Sequence, residues 1–85
     1  MHRVKKVKSM NNYLLLLEFD TGELKVYNCY KLLQNPLFSQ LKDEMFFATV
    51  HIDEMGIVCW TDATDIDPYE LYEKSESVNN FAFAS

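Results

Sequence analysis

The chain has 85 residues, 48% of them apolar and 25% charged, with two glycines and two prolines, which describes one compact domain. A chain this short buries only roughly 60–65% of its unfolded surface, so a deep, lidded active site would consume core it can hardly spare. The formal charge of −5 argues against a nucleic-acid binder, because such affinity comes from neutralising phosphates.

In chain order, Arg3 to Met10 reads as a first strand with Val4 and Val7 as its apolar points, and their odd spacing leaves the register open. Asn11-Asn12 is a turn signal. Tyr13 to Phe19 is apolar on both faces, which in a strand means a central position covered on both sides. Asp20-Thr21-Gly22 is a tight turn in which Gly22 is free to take a positive φ. Glu23 to Tyr27 then alternates polar and apolar, closing a hairpin.

Tyr30 to Leu33 has room for one helical turn before Asn35-Pro36, since the residue before proline is pushed out of the α region. Leu37, Phe38 and Leu41 predict a further short helix packed on the sheet. Phe46 to Ile52 returns to strand, with Phe46, Ala48, Val50 and Ile52 on one face and Phe47, Thr49 and His51 on the other. Asp53-Glu54-Met55-Gly56 is a second turn and Ile57 to Trp60 completes a second hairpin.

The last element is the best specified. Asp67 is placed as an N-cap, Pro68 at the first helical position and Glu70 where it can reach back to the cap, so a helix runs from Pro68 to about Lys74. The whole predicts an α+β fold. It has a curved antiparallel sheet of about five strands in two hairpins, short crossover helices and a capped C-terminal helix. Residues 1–76 form the single domain, and 77–85 a tail that frays or docks on a sheet edge.

Charge is divided along the chain. Residues 1–42 hold seven Lys/Arg against three Asp/Glu, and residues 43–85 hold Lys74 alone against ten acids, so the halves carry +4 and −9. The basic run Arg3, Lys5, Lys6, Lys8 suits an edge strand that discourages unwanted pairing. The acidic half favours a basic partner.

Candidate chemistry is sparse. Asp62, Asp65 and Asp67 lack the internal glycine and closing glutamate of a calcium loop. His2, His51, Cys29 and Cys59 have no short ligand spacing, and no elbow or glycine-rich loop supports either thiol as a nucleophile. No cofactor or metal is implied, and an enzyme is the weakest class. The longest apolar run, Tyr13 to Leu17, falls far short of the roughly 20 residues that cross a bilayer. Met1 to Lys6 leads into no apolar leader core, and the two cysteines fit a reducing compartment, so a cytoplasmic protein is expected.

Several motifs in order carry a resemblance: Phe19-Asp20-Thr21-Gly22-Glu23, then Leu37-Phe38 with Leu41, then Phe46 to Val50. Asp53, Gly56, Ile57 and Trp60 follow, and Asp65-Ile66-Asp67-Pro68-Tyr69-Glu70-Leu71-Tyr72 closes the series. Over Val4 to Tyr72 the chain resembles the DUF2442 family of small bacterial proteins. The resemblance implies a small α+β fold like the N-terminal domain of a two-domain bacterial protein whose second half is a helix-turn-helix regulator. It also implies a place in toxin–antitoxin-like pairs, and it supplies no catalytic residues.

The function expected is therefore a non-catalytic regulatory module that binds a protein partner, antitoxin-like, through Asp53, Glu54, Asp62, Asp65 and Glu70 with Trp60 and Tyr69 as aromatic anchors. The alternatives are an acidic mimic of nucleic acid that blocks a basic protein, and a DNA-associated regulator fragment using Arg3 to Lys8. Phe81 and Phe83 in the tail are the expected contact of a homodimer, which would bury surface that a monomer of this size cannot.

Overall fold

A computed structural model describes residues 3–78. Strand β1 (Val4–Met10) is followed by a 3-10 turn at Asn11–Tyr13, β2 (Leu14–Phe19) and β3 (Leu24–Asn28). Two 3-10 segments, Cys29–Gln34 and Pro36–Lys42, lead to α1 (Glu44–Phe47). The chain then forms β4 (His51–Ile52), β5 (Val58–Thr61), β6 (Thr64–Asp65), α2 (Pro68–Lys74) and β7 (Glu76–Ser77). The class is α+β, as expected, but the strands form two antiparallel sheets in place of one: a four-stranded sheet in the order β1-β2-β3-β7 and a three-stranded sheet in the order β4-β5-β6.

The odd spacing of Val4 and Val7 is resolved by a bulge. The pairing shifts between Val4, opposite Phe19, and Lys6, opposite Glu18, so that both valines reach the core while Lys6 and Lys8 share the other face. Strand β2 lies between β1 and β3, and Leu15, Leu16, Leu17 and Phe19 are all buried. At the hairpin turn Gly22 has φ 90°, and its N–H donates to the Phe19 carbonyl at 2.9 Å.

The alternation of β3 is inverted relative to its polarity. Lys25 and Tyr27 lie opposite Leu17 and Leu15 and are buried, whereas Leu24 and Val26 are half-buried on the far face. The Lys25 ammonium donates to the Tyr72 carbonyl at 2.7 Å and stands 3.9 Å above the Tyr72 ring. Helix α2 is thereby fastened to β3. The Tyr27 hydroxyl donates to Glu70 Oε2 at 2.8 Å and the Tyr72 hydroxyl to Glu23 at 2.9 Å, while Leu71 fills the core beneath.

The crossover differs from expectation in two places. Phe46 to Val50 is not strand: the Asp43 carboxylate accepts from the Met45 N–H at 3.0 Å and caps α1, which turns Phe47 inward and leaves Ala48 exposed. Phe47 packs edge-on to Tyr13 and against Trp60, with ring centroids 5.3 and 5.7 Å apart. Leu37 is 73% exposed, because the Pro36–Lys42 segment has a period near three that sends Phe38 and Leu41 inward. Asn12 and Tyr13, with φ of 62° and 59°, occupy the left-handed region, so β2 starts at Leu14 rather than at Tyr13.

Helix α2 has its predicted bounds and its Asp67 cap, whose carboxylate accepts from the Tyr69 N–H at 3.2 Å. Glu70 does not reach back to that cap, because the Tyr27 hydroxyl claims it. Beyond α2, Glu76 and Ser77 pair with Val26 and Lys25, and the Val78 N–H donates to the Leu24 carbonyl at 3.0 Å. Phe81 and Phe83 lie outside the described residues.

Replacing Lys25 by Met keeps its bulk but removes the ammonium that fastens α2. The urea-unfolding stability is expected to fall by about 1–3 kcal/mol, the usual cost of stranding a buried acceptor. An unchanged midpoint would show that α2 is held by Leu71 alone.

Candidate functional site

Of the residues proposed from the sequence, three converge. On the outer side of the three-stranded sheet, β-pairing sets His51 and Asp65 on either side of Cys59. Asp53 follows β4, and Asp62 sits in the turn from β5 to β6. Burial pushes the Cys59 thiol above its ordinary value, and the carboxylates of Asp53, Asp65 and Asp62 push it further. One thiol therefore feels all three acids. Glu54 is exposed beside Asp53, at the turn that also exposes Met55.

Local chemistry builds this patch. The Asp53 carboxylate accepts from the Met55 and Ile57 N–H groups, each at 2.9 Å, which with Gly56 at φ 84° makes the turn. The Thr61 and Thr64 hydroxyls meet at 2.7 Å, and Thr64 Oγ1 also accepts from the Thr61 N–H at 2.9 Å. That pins the short turn carrying Asp62. Asp62 and Asp65 are left exposed to solvent.

Cys59 Sγ lies 3.5 Å from His51 Nε2, a juxtaposition that spacing in the sequence could not reveal. His51 Nδ1 faces the Thr49 carbonyl at 3.0 Å, an acceptor, so the ring donates through Nδ1. The surrounding carboxylates favour the neutral thiol, the opposite of what a nucleophilic cysteine needs. Among the described residues, no group of three or more His, Cys, Asp or Glu side chains is placed to hold a metal ion.

The other proposed residues fall elsewhere. Trp60 is not a surface anchor: it is 4% exposed, and its indole N–H donates to the Phe47 carbonyl at 2.8 Å, tying β5 to the end of α1. Val58 and Trp60 point into the core cluster, whereas Cys59 between them lies on the opposite face of β5 and is just as buried as Trp60. Glu70 faces Tyr27 and is half-buried, away from the three aspartates in the hydrogen-bond network. Tyr69 is exposed on α2.

A second region was missed by sequence reasoning. A cleft of about 580 Å³ lies between the Cys29–Gln34 segment and α2, lined by Tyr27, Tyr30, Lys31, Leu32, Glu70 and Lys74. Burial, and then the bonded Glu70 carboxylate, hold the Tyr27 hydroxyl at its floor well above the usual phenol range. Cys29 beside it is fully buried, and burial pushes its thiol from the ordinary 9.0 to about 12.

The Cys29 thiol gives a pH dependence of defined sign. Above pH 9.0 the unfolded chain releases a proton that the folded chain keeps until about pH 12, so this contribution to stability is whole below the first value and lost as pH rises toward the second. The urea midpoint is expected to fall across that window, and to fall less steeply in Cys29→Ala. Equal slopes would remove Cys29 as the cause.

Comparison with known proteins follows the fold. A solved structure from Nitrosomonas europaea ATCC 19718, a protein named as a candidate for DNA binding, superimposes with a TM-score of 0.68 at 28% sequence identity. The match covers 74% of this chain and 42% of that one, so the chain spans less than half of that relative's length. No curated protein matches the sequence. No helix among the described residues is long and apolar enough to cross a membrane. The family model for DUF2442, described as a protein of unknown function, matches residues 4–77, nearly the whole of the described fold, and the chain belongs to that family.

Proposed function

We propose that this chain is a non-catalytic, cytoplasmic regulatory module that binds a basic protein partner, in the manner of the antitoxin-like member of a pair. The observation that carries the reading is the set of three aspartates that the small sheet presents, Asp53 after β4, Asp62 in the β5–β6 turn and Asp65 paired with Cys59. Glu54 and the exposed Met55 extend this patch at the adjoining turn, which provides charge around an apolar contact. Carboxylates so placed raise the encounter rate with a basic partner and discourage acidic ones. Burial and the neighbouring carboxylates favour the protonated Cys59 thiol, which supports a binding role over nucleophilic chemistry.

The test is a pull-down of the tagged full chain from its host lysate at low and at moderately high salt. One stoichiometric protein is expected at both, and Asp62→Lys with Asp65→Lys is expected to release it, since both positions are exposed and their exchange spares the core. Retention by the double variant, or no retained protein, would sink the proposal.

A second reading, a DNA-associated regulator fragment, is favoured by the name of the Nitrosomonas relative and by Lys6 and Lys8 on one face of β1. Fluorescence anisotropy with a labelled DNA duplex separates the two. Under the first reading no binding is expected even at low salt; affinity that falls steeply as salt is added would favour the second.

A further inference from the structure

We infer that the surface centred on Tyr30 is a docking site for an acidic segment of a partner protein, one carrying apolar side chains between its carboxylates. This site is separate from the aspartate patch and stands independently of it. Tyr30 is 62% exposed although it sits between two elements of the core. Cys29 and Leu33 of the same 3-10 segment are buried, and the Asn28 side chain accepts the Tyr30 N–H at 2.9 Å, which fixes the backbone with the ring outward.

Tyr30 lines two clefts. One is the 580 Å³ cleft described above, with Lys31 and Lys74 at its margin and Leu32 in its wall. The other, of about 450 Å³, is lined by Tyr13, Tyr30, Leu33, Gln34 and Lys42. Two clefts that share one exposed aromatic ring suit successive side chains of an extended segment better than a single small molecule.

Charge selects the partner. The two clefts present three ammonium groups, Lys31, Lys42 and Lys74, and none forms an ion pair among the described residues. The two linings hold one carboxylate, Glu70, which accepts from the Tyr27 hydroxyl, so the three ammonium groups outnumber it. In a chain of net charge −5 this is a local excess of positive charge beside an exposed ring and leucine walls. A nucleic-acid strand would also find cations and an aromatic face here. The net charge and Glu70 disfavour a continuous polyanion, whereas a peptide offers sparser charge and apolar groups for Leu32 and Leu33.

The experiment is an amide NMR titration of the full chain with a short peptide in which glutamates flank one phenylalanine and one leucine. Expected are shifts centred on Tyr30, Lys31, Lys42 and Lys74. Affinity should fall at least about fivefold in Tyr30→Ala and in Lys31→Glu with Lys74→Glu, as for central interface residues. Circular dichroism checks that these surface variants remain folded, and Asp62→Lys with Asp65→Lys should bind this peptide as the parent chain does. No shift at millimolar peptide would overturn the inference. So would equal binding of a counterpart with lysine for glutamate, or tighter binding of single-stranded oligothymidine at the same amides.

Discussion

A lysine ammonium taken out of water must find acceptors, and the arrangement of the larger sheet follows from where Lys25 finds them. Its place on β3 points it under α2, where the Tyr72 carbonyl and ring receive it. A seven-residue helix has little stability of its own, so α2 exists because β3 holds it. Phe19 then meets Tyr72 edge-on at 5.1 Å, and Tyr27 meets Glu70. These contacts set the wall of the larger cleft and bring Lys74, from the end of the acidic half, beside Lys31.

The division of charge along the chain thus becomes a division in space, though not along the line that composition draws. Lys74 belongs to the acidic half by position but joins the cations of the crossover through α2. Asp53, Asp62 and Asp65 stay together because β4, β5 and β6 form a sheet of their own. A module with one acidic surface and one basic, apolar surface has the means to meet two chemically different partners, or two parts of one partner.

What was legible in the sequence was local. The Asp20-Thr21-Gly22 hairpin and the Asp67-Pro68 helix start depend on residues within a few positions, and both appear where the sequence places them. Alternation in β3 marked the strand but not its buried face, because α2 satisfies Lys25 and Tyr27 on that face and leaves Leu24 and Val26 half-buried. Phe46 to Val50 misled because its strand-like period competed with the Asp43 cap and with burial of Phe47 against Trp60, so that strand begins only at His51. The two-residue strands β6 and β7 leave no period to read. Of the candidate site, the aspartates were legible as charge; the Cys59–His51 contact and the clefts about Tyr30 depend on long-range packing.

The pairing of β7 with β3 also has a practical side for anyone attaching something to this molecule. Val78 leaves the sheet beside Leu24, whereas Tyr30 follows the other end of the same strand, Asn28, which lies four residues and about 13 Å along from Leu24. A probe placed at Val78 therefore reports on the hairpin end of the sheet and one at Tyr30 on the clefts, which makes the two ends of β3 separately observable.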